Sequence, residues 1–447
     1  MPEQCGRGDS ERPSSFRQKY GNERLYQWTV SKTPLTILHP IVSVAPLIGE
    51  ILQSFCFKNI ETLVLKREPQ LCYNCCMKPA NPFLTAGYAG PEYFCDRKRE
   101  TEALIQHLDN DRNTTLISPR RYGKTGLIRQ VLHLMSKRRG VKTVYIDLYP
   151  TRNLSDFARV LAAAVADAVE SSAEKVVKAV SAFARGFRPT MTIDEFSGRP
   201  KFSFDITAGN AEASIESILE YLQSRRERTV VAIDEFQQIA EYPEKGVEAL
   251  LRSKIQFMHN VGFVFSGSRL HMMAEMFHSP KRPFFNSTAS MSLDVIDRLA
   301  YFRFAASFFR KAGRILPEET FTAAYDRFEG ITWYVQSVMK ELYAQGVARP
   351  TEKDVVAVVG HLVEENAMNY GFILSKCSPG AVELLRAVAA ERVVAEPMSA
   401  EFGRRYGLRA VSSIRFALDS LLKDELLYRR EDGYVIYDRL FAEWLRS

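Results

Sequence analysis

The chain has 447 residues, which is too long for one ordinary core and suggests two or three domains. Its hydrophobic content of 46% and charged content of 25% are typical of a soluble globular protein. The net charge of +7 is spread over the whole length, so it permits a nucleic-acid or membrane-surface partner without demanding one.

The seven cysteines and the most apolar N-terminal segment indicate in which cellular compartment the protein is expected. The odd count of cysteines and their uneven spacing are not typical of a disulfide framework and favour a reducing compartment. Cys72, Cys75 and Cys76 form a CxxCC group, but zinc needs a fourth ligand and no matching pair follows. The apolar run 36–52 is interrupted by Pro40, Pro46, His39 and Glu50, and its uninterrupted part is too short to span a bilayer. We therefore expect a cytoplasmic protein with no membrane partner.

Residues 1–76 differ from the rest of the chain, because they contain Gly, Pro and Ser clusters and no sustained helical period. Two explanations stay open. The segment is either a poorly ordered N-terminal arm, or a spurious extension of a reading frame whose native start is Met77. Mass spectrometry of the natural protein distinguishes them, since tryptic peptides from before Met77 exclude the second.

From Asp96 onwards apolar residues recur at regular spacing, and predicted strands alternate with predicted helices. This alternation predicts an α/β fold, a three-layer parallel sheet covered by helices on both faces, over 77–285. A helical lid over 286–372 and a winged helix over 373–447 follow. The predicted elements are a helix over 99–108, strands over 114–117 and 142–147, a helix over 154–183, an inserted hairpin at about 187–207, a helix over 211–226, and strands over 229–233 and 261–265.

A phosphate-binding loop is predicted at 118–125, where SPRRYGKT stands between a strand and an amphipathic helix. Backbone N–H groups and the positive end of the helix dipole meet there at one anion site. Lys124 is expected to reach the β- and γ-phosphates of ATP, and the Thr125 hydroxyl to bind Mg2+. Ser118 replaces the usual first glycine, which weakens the bare motif. The expected nucleotide contacts from this loop are Pro119, Arg120, Arg121, Tyr122, Gly123, Lys124, Thr125 and Gly126.

Two further strand ends complete the predicted site. The apolar strand 229–233 ends in Asp234, a candidate Mg2+ ligand, and Glu235, a candidate catalytic base that orients and deprotonates water. Acids that merely cap the next helix are the alternative for either motif alone. Ser268 follows the strand 261–265 and could contact the γ-phosphate or the attacking water, although an ordinary strand-to-loop turn explains it equally well.

With these motifs in view, the chain resembles the archaeal-type ATPases of the STAND class, relatives of the Orc/Cdc6 initiators among AAA+ proteins. The resemblance runs from about Asn81 to the C-terminus and implies an ATP-binding core, a helical lid and a C-terminal winged helix. It places Arg97 beside the adenine and suggests a sensor role for Arg298. The Gly-x-Pro of such lids corresponds to 330–332, where the proline is missing. The matching segments are YFCDR at 93–97 with Glu100, PRRYGKT at 119–125, IDEF at 233–236, FSGS at 265–268 and YDRLF at 437–441.

The segment 398–437 reads as two helices and a hairpin, a winged helix that could contact DNA. In such a reading Ser412, Ser413 and Arg415 face the groove and Arg429 and Arg430 lie on the wing. Residues 375–447 hold 12 Lys and Arg against 11 Asp and Glu, without the basic excess usual in DNA-binding proteins. Packing on the ATPase core, self-assembly or contact with a protein partner stays an alternative.

The sequence therefore predicts an ATPase switch, in which ATP closes the lid on the core, hydrolysis through Glu235 relaxes it, and the winged helix transmits the state. Two alternatives remain open. One is a DNA-binding regulator or initiator-like protein in which ATP is a structural ligand. The other is a nucleotide-stabilised scaffold without turnover.

Overall fold

The computed structural model describes residues 79–169, 188–193, 200–408 and 410–447. The expectations for residues 1–76, the CxxCC group included, lie outside these ranges. The described strands are β1 (Thr114–Ile117), β2 (Val141–Asp147), β3 (Arg188–Ile193), β4 (Pro200–Asp205), β5 (Arg228–Asp234), β6 (Val261–Gly267), β7 (Ala289–Met291), β8 (Leu427–Arg430) and β9 (Gly433–Ile436).

The described helices fall between and after these strands. They are α1 (Lys98–Asp109), α2 (Lys124–Ser136), α3 (Leu154–Val169), α4 (Ala211–Ser224), α5 (Val247–Ile255), α6 (Leu270–His278), α7 (Arg298–Lys311), α8 (Glu318–Arg327), α9 (Thr332–Ala344), α10 (Glu352–Lys376), α11 (Pro379–Glu391), α12 (Ala400–Arg405), α13 (Val411–Lys423) and α14 (Arg439–Arg446).

The core is a five-stranded sheet in the order β2-β5-β6-β1-β7, and every pairing in it is parallel. This confirms the predicted α/β fold. Because β6 lies between β1 and β5, the three segments that follow these strands meet at the same edge of the sheet. The phosphate loop, Glu235 and Ser268 therefore become neighbours although they are far apart in the chain.

Both faces of the sheet are buried, as a parallel sheet with crossover helices requires. Strand β5 shows the alternation: Val231 and Ile233 belong to one apolar cluster with α3 and α4, whereas Val230 and Ala232 belong to another with α1 and α2. The two-sided burial explains why this strand is a continuous apolar run in the sequence.

The edge strand β7 was not predicted. Its three residues pair with β1 in parallel, Ala289 opposite Thr114, and the Oγ1 atoms of Thr115 and Thr288 lie 2.6 Å apart beside it. Three residues are too few to show an alternating pattern, so only the tertiary pairing reveals the strand. The inserted hairpin was predicted correctly and is the antiparallel pair β3–β4. The described part of the predicted helix 154–183 is α3, and the remainder lies outside the described ranges.

The region after the sheet is helical as expected, from α7 to α10. Helix α10 has 25 residues and passes through the predicted boundary at 372. One apolar cluster is shared by the lid and the winged helix, since its members include Tyr301 of the lid and Ala442 of the C-terminal helix, together with Phe83 and Cys95. Within the described ranges, none of the helices combines the length and the apolar character that crossing a bilayer requires.

The C-terminal module contains the predicted helices α12 and α13 and the hairpin β8–β9, but the chain does not end there. Helix α14 follows, with Leu440 and Phe441 buried and the Asp438 side chain accepting from the N–H groups of both residues. A helix of eight residues has about two turns, which is too few for its apolar periodicity to be recognised in the sequence next to the hairpin. This helix packs against α10, where the rings of Tyr370 and Phe441 lie 5.1 Å apart.

Candidate nucleotide-binding site

The phosphate loop connects β1 to α2 in the geometry that its motif predicts. Gly123 precedes the helix with φ 93°, a left-handed conformation that glycine adopts without a steric penalty. The Lys124 side chain is only 6% exposed, and its Nζ donates to the carbonyls of Ser118, at 2.7 Å, and Pro119, at 3.0 Å. An ammonium group has three N–H donors, so one is left for a phosphate oxygen.

Burial lowers the pKa of Lys124 to about 8, against the opposing effect of the carboxylates of Glu235 and Asp234. A cation so poorly solvated gains from an anion that enters the same space. The electrostatics of the loop therefore favour a phosphate ligand beyond what its backbone N–H groups provide.

Ser118 has a structural role that the sequence did not reveal. It is buried, its Oγ accepts a hydrogen bond from the N–H of Leu293, and it lies 3.3 Å from the Leu293 carbonyl, to which it donates. Glycine cannot make these bonds. The departure from the usual motif thus ties the start of the phosphate loop to the segment that leads from β7 into the lid.

Asp234, at the end of β5, is 4% exposed and accepts two hydrogen bonds at its Oδ2. The donors are the Thr125 hydroxyl, at 2.7 Å, and the Tyr145 hydroxyl, at 3.0 Å. A hydroxyl and a carboxylate side by side are the oxygen donors that suit Mg2+, which takes few protein ligands beside water and phosphate oxygens. No cluster of three or more His, Cys, Asp or Glu that could hold a metal occurs in the part of the chain that is described. The pair of Thr125 and Asp234 therefore fits a metal bound mainly by a nucleotide.

Glu235 is positioned by its neighbours. It has φ 53°, and its N–H donates to the Asp234 carboxylate at 3.1 Å. Its Oε2 accepts from the Ser268 hydroxyl, at 2.9 Å, and from the Gln237 amide. Ser268 Oγ in turn accepts from Arg120 Nε at 3.2 Å. Hydrogen bonds therefore connect the phosphate loop, through Ser268 just after β6, to the candidate base.

A cavity of about 330 Å³ lies against these groups. Its wall contains all but two of the predicted residues: Arg97, Arg120, Arg121, Tyr122, Gly123, Lys124, Thr125, Gly126, Glu235 and Ser268. The exceptions are Pro119, whose carbonyl accepts from Lys124, and Asp234, whose carboxylate accepts from the Thr125 hydroxyl. The geometry thus brings the phosphate loop, the Glu235 carboxylate and the Ser268 hydroxyl to a single cavity, with Asp234 bonded to Thr125 of the loop.

Arg97 is buried and braces the phosphate loop. Its guanidinium donates to the Tyr122 carbonyl at 3.0 Å and pairs with Glu100 at 2.8 Å. It therefore lines the cavity while fixing the loop backbone. Arg298 is not in the cavity wall; it is 54% exposed and lies 3.7 Å from Asp326. The contacts of Arg298 give a sensor role no support in this conformation.

The lid supplies cavity residues that sequence reasoning missed, among them Ile296, Trp333 and Gln336. The resemblance pointed to 330–332, and that stretch does meet the loop. Thr332 Oγ1 donates to the Tyr122 carbonyl at 3.3 Å. The N–H of Trp333 donates to the Arg121 carbonyl at 3.0 Å. The start of α9 therefore contacts the backbone of the phosphate loop.

The winged helix also touches the phosphate loop. The Arg120 N–H donates to the Tyr437 hydroxyl at 2.6 Å, and that hydroxyl donates to the Ser268 carbonyl at 3.3 Å. Arg121 pairs with Asp438 at 2.8 Å, and its guanidinium carbon lies 4.4 Å from the centre of the Trp333 ring. Two loop residues are thus held by the segment between β9 and α14.

The expected DNA-facing residues divide into two groups. Ser412, Ser413 and Arg415 are exposed on α13, and Arg429 is exposed on β8. Arg430 is not free: it pairs with Asp432 at 2.6 Å and with Glu329 of the lid. Arg429 and Arg430 both lie on the wing strand β8, and contact of either with DNA stays a prediction.

Comparison with known proteins identifies the same two parts of the chain, an ATPase domain and a winged helix domain. A family model described as "ATPase domain predominantly from Archaea" matches residues 94–338, and one described as "Probable winged helix domain" matches residues 368–447. The Walker-type ATPase PABY2304 of Pyrococcus abyssi is similar over 82% of this chain and 100% of its own, with a TM-score of 0.58 and 18% identity.

The ORC2 protein of Aeropyrum pernix, in its ADPNP–ADP complexes, is similar over 82% of this chain and 96% of its own, with a TM-score of 0.51 and 15% identity. At these identities the two structures show the fold alone. No curated protein matches the sequence. The first family model covers more than half of the chain. The protein therefore belongs to the family of ATPase domains found predominantly in Archaea, followed by a winged helix domain.

Proposed function

We propose that the protein binds ATP with Mg2+, hydrolyses it to ADP and phosphate, and uses the reaction to switch its lid and winged helix. The observation that carries this proposal is the meeting of Lys124, the pair Thr125–Asp234, and Glu235 at one sheet edge beside one cavity. Each group has a chemical partner in a bound triphosphate: the ammonium for phosphate oxygens, the oxygen donors for a metal, and the carboxylate for water.

In the proposed reaction, the N–H groups of the loop and the Lys124 ammonium bind the phosphates and stabilise the charge that develops on them. Bound Mg2+ would be held by Thr125 and Asp234 and would neutralise phosphate charge. Glu235 orients water and accepts its proton while the oxygen attacks the γ-phosphorus, and ADP leaves. The hydrogen bonds from Ser268 and Gln237 both reach Oε2 of Glu235, so we propose that Oε1 accepts the proton from water.

The switch follows from contacts that the loop makes outside the sheet. Arg120 and Arg121 are bonded to Tyr437 and Asp438, and the carbonyls of Arg121 and Tyr122 accept from the lid. A ligand that moves this loop must change contacts with both modules. We therefore propose that nucleotide state is transmitted through these bonds.

Glu235→Gln tests the enzyme proposal. The variant keeps the volume and loses the base, so we expect phosphate release to fall at least about a hundredfold while ATP still binds. Glu220→Gln on α4, which lies outside the cavity wall, is the matched control. Wild type that releases no phosphate, with or without DNA, would leave the non-hydrolysing scaffold as the better description.

DNA binding by 398–437 is a second proposal, supported by the exposed Ser412, Ser413, Arg415 and Arg429. A gel shift with duplex DNA that weakens with salt would favour the regulator. No shift at low salt would count against it, leaving protein contact or self-assembly for the winged helix. STAND-class membership and a cytoplasmic location also remain proposals, the latter resting on the cysteine pattern.

A further inference from the structure

The edge of the sheet opposite the candidate nucleotide site carries a row of basic side chains. The four adjacent strands β2, β5, β6 and β1 each follow an exposed basic residue that lies two positions before the strand begins. In the order of the sheet these residues are Arg139, Arg226, His259 and Arg112. Since neighbouring strands lie about 4.8 Å apart, the row extends for about 14 Å along the edge.

Hydrogen bonds and one ion pair show that the four connections are neighbours in space. The N–H of Arg228, the first residue of β5, donates to the Gly140 carbonyl at 2.9 Å. The N–H of Thr229 donates to the Asn260 carbonyl at 3.0 Å. The Arg228 guanidinium also pairs at 2.7 Å with Asp111, which lies in the turn before β1. The segments that lead into the four strands therefore form one continuous surface.

Much of the positive charge on this surface is not neutralised. The acids of these connections and of the last turn of α1 are each paired with one arginine: Asp109 with Arg138, Asp111 with Arg228, and Glu227 with Arg225. The cations of the same connections that form no ion pair within the described ranges are Arg112, Lys137, Arg139 and Arg226. Cations gathered on one edge without carboxylates of their own favour a polyanion as a partner.

An exposed aromatic ring lies among these cations. Phe257 is 63% exposed and belongs to the connection that leads into β6. Its carbonyl accepts a hydrogen bond from the Gln223 side chain at 3.1 Å, which places this residue at the end of α4. The Asn260 side chain donates to the Arg225 carbonyl at 3.0 Å and joins the same connection to the residue before Arg226. Such a ring offers a face on which an unpaired base can stack, while the cations beside it bind the phosphates.

We propose that this edge binds single-stranded nucleic acid, with the cations on its phosphates and Phe257 stacked on one base. The combination favours a single strand over a duplex, because the bases of a duplex are already stacked on each other and leave the ring without a partner. The surface is separate from the winged-helix segment 398–437. It lies at the amino ends of the strands, whereas the candidate nucleotide site lies at their carboxyl ends, so the inference does not rest on ATP binding or hydrolysis.

The contribution of the charges is tested with the full chain and a labelled oligo-dT of about 20 nucleotides, longer than one such site covers. Fluorescence anisotropy gives the affinity at several salt concentrations. Four phosphate contacts predict a slope of about −3 for the logarithm of the association constant against the logarithm of the salt concentration. Combined Arg112→Gln, Arg139→Gln and Arg226→Gln should change the slope to about −1 and lower the affinity at low salt at least about tenfold. The control removes the same charge from exposed positions of the lid, and it should change neither quantity: Arg303→Gln, Arg310→Gln and Arg349→Gln.

The contribution of the ring is tested separately. Phe257→Leu keeps an apolar side chain but removes the stacking face, so we expect the affinity for oligo-dT to fall at least about fivefold while the salt slope stays the same. Phe372→Leu changes a ring of similar exposure, 61%, on α10 and should leave the affinity unchanged.

The alternative partners give different results. Tighter binding to a duplex of the same length than to oligo-dT would overturn the proposal and assign the cations to a duplex backbone. Binding to phosphatidylserine vesicles that the arginine variant removes, without affinity for oligo-dT, would assign this edge to a membrane surface. If the edge variant and the lid control lose equal affinity for oligo-dT, or neither loses any, the edge is not the binding surface. Displacement of a fluorescent ATP analogue is measured in parallel, and the edge variants should bind it as the wild type does, which keeps this inference apart from the proposed function.

Discussion

The hydroxyl of Tyr437 accepts a hydrogen bond from the backbone N–H of Arg120 over 2.6 Å, which joins the segment after the winged-helix hairpin to the phosphate loop. The same hydroxyl donates to the Ser268 carbonyl, so one side chain from the C-terminal module touches two of the three segments that form the site. Burial raises the pKa of Tyr437 to about 12, which keeps this hydroxyl protonated and able to donate. The winged helix thus contacts the loop directly and not through the lid alone.

Removing this hydroxyl should expose the Arg120 amide. In Tyr437→Phe the N–H loses its acceptor, and since such a bond contributes about 1 kcal/mol we expect its hydrogen exchange to accelerate by about fivefold. Exchange mass spectrometry on peptides that contain 118–123 measures the change. Tyr434→Phe, on the neighbouring strand β9, is the control; equal exchange in the two variants would mean that the hydroxyl does not protect the loop.

Asp234→Asn should remove the dependence of ATP binding on Mg2+. The amide is neutral and a weak metal ligand, so we expect the wild type to bind ATP at least about tenfold more tightly with Mg2+ than with a chelator, and the variant to show little difference. Titration of a fluorescent ATP analogue under both conditions gives the two constants. Asp147→Asn changes the carboxylate directly beside Asp234 in the parallel register and should keep the wild-type response. A full Mg2+ effect in Asp234→Asn would remove Asp234 from the metal site.

Asp234 and Glu235 could be predicted because a strand buried on both faces is recognisable as an apolar run, and acids at its end stand out. The strand order could not be derived from the sequence, but it was not needed, since all carboxyl ends of a parallel sheet share one edge. Local pattern and general topology were therefore sufficient to predict the half of the candidate site that contains the two carboxylates.

The other half depends on contacts between segments far apart in the chain. Trp333 and Gln336 have the spacing of core residues on a helix, and nothing local separates a cavity wall from a core. The bond from Ser118 to Leu293 and the pair Arg430–Glu329 likewise depend on how the lid and winged helix pack. Such contacts appear only once the tertiary structure is known.

Ser118→Ala should destabilise the protein without removing the motif. The Leu293 N–H and carbonyl lose a buried partner, which costs about 1–3 kcal/mol. We expect a thermal midpoint lower by about 2–10 °C, measured by scanning fluorimetry or calorimetry. Ser136→Ala on the exposed end of α2 is the control and should shift the midpoint by about 1 °C or less. If both variants melt alike, the bond to Leu293 contributes nothing to stability.

ATP affinity should fall as the pH rises above about 8. In the ligand-free protein burial lowers the pKa of Lys124 to about 8, whereas a bound triphosphate places negative charge beside the ammonium and raises its pKa. Between the two pKa values the complex holds one more proton than the free protein, so the affinity decreases by up to about tenfold for each pH unit. Below about pH 8 Lys124 is charged in both states and adds no pH dependence.

Titrations with a fluorescent ATP analogue between about pH 7 and about pH 9.5, at constant ionic strength and saturating Mg2+, measure this slope. Lys137→Met, at the far end of α2, removes a lysine outside the cavity wall and should leave the profile unchanged. An affinity that stays constant up to about pH 9.5 would show that Lys124 remains protonated in the free protein. The Lys124 ammonium in the free protein would then have more polar surroundings than its hydrogen bonds to the Ser118 and Pro119 carbonyls alone provide.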